Sequence, residues 1–262
     1  MGYFNRPLYA KDYRLAADKK CSKHSSILAI IYLIYFAIVI VMGGIVQLPI
    51  FQISAGSVVS GVELTASWGN ILTLFVAGHF LVGLIAVSVK IYSDVTPDVN
   101  DLFHGFKNYG NILGVYLLQE VYIFLWSLLF GIPGLIKTYS YSMTLFIIND
   151  NPNKMINECI TDSRKMMDGY KWKLFCLDLS YIGWYFLCAL TLGILSLWVV
   201  PKHQYARYLF YLKVSGKGYA DELRKEQKAN EETIKEQPSD EVEPKKEYSS
   251  LEELDKKFEE IE

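Results

Sequence analysis

Two long apolar runs constrain this chain more than any other feature. Residues 27–48 contain no charged side chain, and residues 71–89 contain none either, with His79 near the middle of the run. A helix needs about 20 apolar residues to cross roughly 30 Å of hydrocarbon. Because both runs have this length, the pattern excludes an ordinary soluble domain and predicts an all-α protein that crosses a membrane several times.

Charge is concentrated away from these runs. The 262 residues include 26 Lys and Arg and 28 Asp and Glu, although 52% of the chain is hydrophobic. Residues 217–262 hold 9 of the basic and 16 of the acidic residues, which leaves 17 basic and 12 acidic residues before them. The sequence therefore predicts a basic N-terminal segment (1–25), a transmembrane domain (26–216) and an acidic tail (217–262).

Later apolar stretches predict further spans. Residues 112–148 are too long for one crossing, and residues 131–134 combine proline and glycine, which predicts a tight helical hairpin. Lys137, one turn inside this hairpin, is expected to anchor it at the interface. Residues 172–213 are interrupted at Thr191–Gly193, which fits either one long span followed by a surface helix or two spans joined by a turn. The six predicted spans are residues 27–48, 71–89, 112–132, 135–148, 172–190 and 194–213.

The positive-inside rule orients these spans, because short cytosolic loops are enriched in Lys and Arg. The N-terminal segment carries the basic residues Arg6, Lys11, Arg14, Lys19, Lys20 and Lys23. Six spans place residues 90–107 and the basic segment 154–173 on the same side as these residues. Six spans also return Lys213 and Lys217 to that side, whereas five would export them. The charge pattern therefore favours a polytopic helical membrane protein with six spans and both termini cytosolic.

Two amphipathic helices are predicted outside the spans. Asn153 is expected to cap the first, whose apolar residues follow a helical period up to Gly169, and its basic residues place it at the cytosolic face. The second covers residues 250–262 and begins with a capping box formed by Ser250 and Glu253. Its apolar stripe consists of Leu251, Leu254, Phe258 and Ile261. A helix this short needs a partner surface in water, so the stripe is a candidate docking site for a cytosolic or membrane protein.

Ionisable residues within the predicted spans are the main functional candidates, because a charge in hydrocarbon is costly. They are His79, Glu120, Asp178, Lys202, His203 and Arg207. Helix rise places Glu120, Asp178 and Arg207 at similar distances from the cytosolic edge, and we interpret these three as a candidate intramembrane polar cluster. The cluster fits two interpretations: a self-neutralising group that fixes helix packing, or a polar cavity that binds a substrate or a lipid headgroup.

Several short motifs resemble a known family. They include Asp101–Gly110, Phe124–Trp126, Ile132–Gly134, Tyr139–Met143, Asp150–Pro152, Lys171–Phe175, Asp178–Ser180, Ile182–Trp184, Thr191–Ile194 and Leu197–Trp198. Their order over residues 90–213 resembles an uncharacterised family of bacterial integral membrane proteins, domain of unknown function 975. The resemblance implies a multi-span helical domain in a bacterial plasma membrane, and it supplies no catalytic residues.

Motif patterns argue against several kinds of chemistry. The sequence contains no GxxxxGK[ST], HExxH or GxSxG pattern, and the four cysteines lack CxxC spacing, so we interpret them as small apolar fillers. Asp94, Asp98, Asp101 and His104 lie close together in sequence, but helix capping explains aspartates at helix starts better than a metal site does. We therefore expect no metal, no cofactor and no nucleic acid.

The leading hypothesis is a non-enzymatic integral membrane protein that acts through cytosolic protein interactions. Its expected partners are membrane lipids and a cytosolic or membrane protein that binds the acidic tail. The alternative, from another functional class, is a carrier or lipid-handling protein whose polar intramembrane cavity contains Glu120, Asp178 and Arg207.

Overall fold

A computed structural model describes residues 9–46, 68–129 and 131–218, together with 220, 221 and 224. The chain divides into two units, Met1–Tyr219 and Ala220–Glu262, and the first unit contains all the helices discussed below. Every regular element in the described part is helical, which confirms the all-α class there.

The α-helices are α1 (Ala10–Lys23), α2 (Ser25–Val46), α3 (Trp68–Tyr92), α4 (Tyr109–Leu129), α5 (Gly131–Tyr141), α6 (Thr144–Asp150), α7 (Ile156–Met166), α8 (Lys171–Leu179), α9 (Ile182–Leu190) and α10 (Ser196–Val214). A 3-10 segment, Val99–Asn108, leads directly into α4. The described part therefore contains more helices, several of them shorter, than the six predicted spans.

Four stretches of the described helices are long and apolar enough to cross a membrane. They are Ser25–Met42 in α2, Phe75–Tyr92 in α3, Val99–Leu128 in the 3-10 segment and α4, and Lys171–Leu190 in α8 and α9. They overlap the first, second, third and fifth predicted spans. By helix length and composition, these four stretches are candidate membrane spans, as expected of a membrane protein.

The fourth predicted span, residues 135–148, is not one continuous helix. A turn at Ser142 and Met143 separates α5 from α6, and Ser163 of α7 binds both sides of the turn. The Ser163 hydroxyl accepts the N–H of Met143 at 3.2 Å and donates to the carbonyl of Ser140 at 3.0 Å. The helix breaks here because a buried side chain from another element satisfies the backbone groups that the break releases.

The hairpin predicted at residues 131–134 is displaced toward the N-terminus. α5 already begins at Gly131, because a proline is tolerated in the first helical turn, where its missing N–H is not needed. Gly134 permits the close packing of α4 on α5, since a Cβ there would lie 2.9 Å from the Cα of Ser127. Farther along, the Lys137 ammonium lies 4.2 Å from the centre of the Trp126 ring. The two helices therefore form an antiparallel hairpin.

The turn predicted at Thr191–Gly193 is present. Leu192 and Gly193 have φ angles of 52° and 85°, and α10 then runs back along α8 and α9. This reversal supports the two-helix alternative over one long helix. However, α10 is not among the candidate spans found in the described residues, because Lys202, Arg207 and Lys213 interrupt its apolar character. It packs instead at the centre of the helices, in contact with α1, α2, α3, α8 and α9.

The N-terminal basic segment contains a helix that packs on the body. Tyr13, Ala17 and Cys21, four residues apart, are buried, and the Tyr13 ring lies 5.7 Å from that of Phe210 in α10. The Arg14 guanidinium donates to the carbonyl of Ser180 at 3.1 Å, where α8 gives way to α9. α1 is thus an amphipathic helix whose apolar face is completed by the C-terminal helices.

The amphipathic helix predicted after Asn153 is present as α7, with a later start. It begins at Ile156 and its N-cap is Met155, so the predicted cap at Asn153 is wrong. Its apolar period is confirmed, because Cys159 and Ile160 are buried. The predicted end at Gly169 is too late, because α7 ends at Met166 with Met167 as its C-cap. Gly169 lies in the turn that follows, with a φ of 73°, a conformation that glycine adopts without steric cost.

The 3-10 segment packs against α3 through two glycines. A Cβ on Gly83 would overlap the carbonyl oxygen of Leu102 and lie 2.6 Å from its carbonyl carbon, and one on Gly105 would lie 2.9 Å from the Cα of His79. At the start of the segment Asp98 accepts the N–H of Val99, and Asp101 accepts the N–H of Asp98, both at 2.7 Å. The capping interpretation of these aspartates is therefore confirmed.

We expect Gly83→Ala to lower the free energy of unfolding by about 1–3 kcal/mol, because the methyl group would separate α3 from the 3-10 segment. Gly110→Ala is the matched control, since no heavy atom lies within 4 Å of its Cβ position. Thermal unfolding in detergent, followed by tryptophan fluorescence, compares the two. An equal shift for both variants would contradict the close packing.

We expect Ser163→Ala to cost about 1–3 kcal/mol, since it leaves the buried N–H of Met143 without its acceptor. Thr161→Ala, in the same helix, is the control because Thr161 is only partly buried and donates to the carbonyl of Asn157 within α7. Chemical denaturation of both variants measures the difference. Equal stability would show that Ser163 does not hold the turn between α5 and α6.

Candidate functional site

A polar cluster lies between α8 and α10. Asp178 of α8 faces His203 and Arg207, which are one turn apart in α10 and so project from the same side of it. The Nε2 atom of His203 lies 2.8 Å from Oδ1 of Asp178, and the Nε atom of Arg207 lies 3.6 Å from the same oxygen. Asp178, His203, Arg207 and Tyr185 of α9 are together called the Asp178 cluster below.

The contacts of His203 determine which of its ring nitrogens donates a hydrogen bond and which accepts one. Nε2 faces a carboxylate, which only accepts, so in neutral His203 this nitrogen carries the proton and Nδ1 is free to accept. The Tyr185 hydroxyl lies 2.6 Å from Nδ1 and donates to it, and the Tyr181 ring packs 4.5 Å from the imidazole. The result is a hydroxyl–imidazole–carboxylate array, an arrangement that orients an imidazole and holds a proton in place.

The structure brings together two of the three residues predicted as the intramembrane cluster. Asp178 and Arg207 form an ion pair, and His203 joins them. The Nε atom of Arg207 is buried without a hydrogen-bond partner. One negative and one permanent positive charge therefore offset each other. His203 and Arg207 lie four residues apart on one face of α10. This spacing was the sequence signal that would have added His203 to the predicted cluster.

Glu120 is not joined to this pair. In the described part of the chain no hydrogen bond or ion pair connects Glu120 with Asp178 or Arg207. Its helix, α4, packs on α3, α5, α6 and α7, whereas Asp178 and Arg207 lie between α8 and α10. The sequence argument rested on depth alone, and similar depth does not place two residues on facing sides of a helical bundle.

Lys202 of α10 is paired with a different helix. Its ammonium lies 2.5 Å from Asp18 of α1. A second contact of α1 joins Lys20 to Asp94 at 2.5 Å, in the loop before the 3-10 segment. Near the end of α10, Asp150 of α6 accepts both the Tyr211 hydroxyl at 2.6 Å and the Lys217 ammonium at 2.5 Å. Acidic residues from α1, α6 and α8 thus pair with cations in or just after α10.

His79, another predicted candidate, lies in the core. It is fully buried, and its ring stacks between Phe106 and Tyr109 at centroid distances of 5.0 and 4.2 Å. The Nε2 atom donates to the carbonyl of Tyr109 at 3.1 Å. These contacts place His79 in the packing between α3 and the 3-10 segment, away from the Asp178 cluster.

The cysteines occupy packing positions. All four are free, and Cys21, Cys159 and Cys188 are buried. Burial raises the pKa of the Cys21 thiol to about 12 and also raises the pKa of the Cys159 thiol. A thiol that stays protonated near neutral pH is a weak nucleophile, which agrees with the interpretation of these residues as apolar fillers.

The remaining candidate sites are a metal site, surface hollows and the docking stripe of the tail. Among the described residues no group of three or more His, Cys, Asp or Glu side chains is arranged to hold a metal ion. An open surface hollow lies at Asp150–Lys154, and another follows the polar side of α7. The predicted docking stripe of Leu251, Leu254, Phe258 and Ile261 lies outside the described residues.

We expect the Asp178–Arg207 pair to contribute more stability than the Asp18–Lys202 pair. A double-mutant cycle with Asp178→Ala and Arg207→Met should give a coupling energy of about 1–3 kcal/mol, because both charges are largely removed from water. The cycle with Asp18→Ala and Lys202→Met, whose acid is mostly exposed, should give about 0–1 kcal/mol. A smaller coupling for the first pair would mean that the cluster does not hold α8 against α10.

Part of the chain matches a described family. Residues 131–218 match the family described as "Protein of unknown function (DUF975)". The match covers α5 to α10, whereas residues 90–130, where the sequence also suggested a resemblance, lie outside it. Searches of curated proteins and of solved structures return no match. Residues 131–218, which contain the whole Asp178 cluster, are therefore a DUF975 family domain, in a family whose function is unknown.

Proposed function

We propose that this protein is a non-enzymatic integral protein of the bacterial plasma membrane, which acts by binding another protein at its cytosolic face. The observation that carries the proposal is the internal pairing of the ionisable groups in and around α10. Asp178 contacts His203 and Arg207, and Lys202 contacts Asp18. Side chains that neutralise one another in this way support helix packing more directly than they support turnover of a substrate.

The orientation in the membrane is part of this proposal. Six spans with both termini cytosolic stay the prediction from the charge pattern. α5 is 11 residues long, which corresponds to about 16 Å, roughly half of the hydrocarbon thickness. A hairpin of α4 and α5 that enters and leaves on one side also gives an even number of crossings. Both arrangements keep the termini on the same side, where the tail can meet a cytosolic or membrane protein.

The acidic tail supplies the binding element in this proposal. Its net charge is negative, and the sequence places Leu251, Leu254, Phe258 and Ile261 on one face of a short predicted helix. Apolar residues spaced in this way dock into grooves on partner proteins. The proposed role is therefore that of a membrane anchor or adaptor that recruits its partner through the tail.

We expect replacement of all four stripe residues by serine to abolish capture of the partner by the full-length protein. The loss follows because the apolar face would no longer bury surface against the partner. Affinity purification in mild detergent with crosslinking and mass spectrometry identifies the partner and measures its recovery.

The matched control replaces Glu252, Lys256, Lys257 and Glu259 by serine, which changes four tail residues without changing the net charge. This control should retain the partner. Equal recovery of every bound protein with the stripe variant and with the unchanged chain would reject the proposal.

A second candidate function is a carrier or lipid-handling protein. The specific observation in its favour is the long contact of Arg207. Its buried Nε atom lies 3.6 Å from Asp178 and makes no hydrogen bond, so a bound anionic group can supply the hydrogen bond that Asp178 does not. This function predicts that Asp178→Asn or Glu120→Gln abolishes movement of a solute or lipid in reconstituted vesicles while the protein stays folded. Unchanged solute and lipid composition in a deletion strain would count against it.

A further inference from the structure

Three cations surround the base of the hairpin formed by α4 and α5. Ser163, the neighbour of Arg164 in α7, donates to the carbonyl of Ser140 at 3.0 Å, one turn after Lys137 in α5. The Tyr139 ring lies 5.9 Å from that of Phe175, one turn after Lys171 in α8. These contacts bring the three cations near one another, and the charges of Arg164 and Lys171 act on the Lys137 ammonium. Arg164 also lies near Tyr141 at the end of α5. Lys137, Arg164 and Lys171, called the basic collar below, thus come from three different helices and meet at one surface.

The basic collar is poorly neutralised by the protein. Among the described ion pairs, neither Lys137 nor Arg164 has a carboxylate within 4.0 Å, and Lys171 reaches only Asp168 at 3.8 Å. The side chain of Asp168 is 87% exposed, so water screens that contact strongly. This contrasts with Arg207, which faces the largely buried Asp178 between α8 and α10. Among the described residues the collar therefore presents an excess of positive charge that an external anion can offset.

Exposed apolar and aromatic side chains border the collar. Ile132, Leu135 and Ile136 project from α5 beside Lys137. Trp126 lies beneath the Lys137 ammonium, and Trp172, next to Lys171, is 70% exposed. Tryptophan and lysine side chains next to an apolar surface are typical of the headgroup level of a bilayer. The collar therefore lies where apolar protein surface gives way to polar surface.

Helix α8 adds a favourable backbone contribution. It begins at Lys171, and its N-cap, Tyr170, makes no side-chain capping hydrogen bond. The N-terminus of a helix carries a partial positive charge and unpaired N–H groups that attract anions. At this point the backbone and the collar side chains favour the same kind of ligand.

We propose that the basic collar binds the phosphate of an anionic phospholipid headgroup in the adjacent leaflet. The three cations and the start of α8 attract the phosphate, and the exposed residues of α5 contact the acyl chains. The bordering apolar surface favours a lipid over a soluble phosphate or an acidic protein segment, since neither of these would cover it. This site is independent of the proposed tail interaction, because none of its residues lies in the tail. It requires the arrangement in which the hairpin of α4 and α5 enters and leaves on one side, since six full spans would put Lys137 and Arg164 at opposite faces of the membrane.

The test uses the full chain reconstituted in phosphatidylcholine bilayers with a small fraction of brominated phosphatidylglycerol. Trp126 and Trp172 serve as reporters in a background in which Trp68, Trp184 and Trp198 are replaced by phenylalanine. Brominated phosphatidylglycerol should quench them at a much lower mole fraction than brominated phosphatidylcholine does. Replacement of all three collar cations by glutamine should lower this preference by at least about tenfold, since each cation near a membrane surface favours anionic lipid severalfold.

The matched control neutralises Lys11, Lys19 and Lys107, three exposed lysines on other surfaces. The preference for phosphatidylglycerol should persist in this variant. Arg164→Gln alone is a second variant, because Arg164 is exposed and its change is compatible with folding; it should give a partial loss. Both the triple variant and the single variant should unfold at nearly the same temperature as the background protein.

Three outcomes would overturn the proposal. Equal quenching by the two brominated lipids would show that the collar does not select anionic headgroups. An equal loss of this preference in the collar variant and in the control would show that it depends on the net charge of the protein and not on the collar. Displacement of the lipid by millimolar glycerol phosphate, or by a soluble acidic peptide, would assign the surface to a soluble anion or to a protein partner instead.

Discussion

The pairing of α10 with acids from other helices is the interaction on which the rest of the structure depends. α10 carries Lys202, His203 and Arg207 among buried apolar residues. A charge held away from water is strongly unfavourable unless an opposite charge or a hydrogen-bonding group accompanies it. Asp178 of α8 meets this requirement for His203 and Arg207, whereas Asp18 of α1 reaches Lys202 where the acid is mostly exposed. The central position of α10 therefore depends on α8 above all.

Some of the contacts described above lie within the DUF975 domain, and others join it to the helices that precede it. Asp178 and the residues it contacts lie within residues 131–218, and the basic collar lies there as well. Asp18, Arg14 and the glycine contact of α3 lie outside it. The domain therefore contains a complete ionic cluster of its own, while the first four helices supply additional contacts to its surface. Function that belongs to the family as a whole is best sought in α5 to α10.

Much of the fold could be predicted from the sequence because long apolar runs and isolated turn residues have local causes. α2 and α3 overlap the first two predicted spans and α9 lies within the fifth, and the turn at Thr191–Gly193 was predicted from its residue types. The break at Ser142 was not, because it depends on Ser163, which is distant in sequence. α1 was missed since a basic segment conceals the four-residue spacing of Tyr13, Ala17 and Cys21. The same limit applies to the site: depth placed Asp178 beside Arg207 correctly, but it could not exclude Glu120.

The docking of α1 has a consequence for the order of assembly. Its contacts with Ser180 and Lys202 join residues that are 166 and 184 positions apart. At synthesis rates of about 5–20 residues per second, roughly 10–40 s separate the appearance of α1 from that of its partners. During this interval α1 has α2 and α3 to pack against, but the part of its apolar face that α8 and α10 cover stays open, and its basic side chains favour the nearby leaflet. α1 is thus made long before the helices that complete its packing, and its docking on them is a late step in the assembly of the bundle.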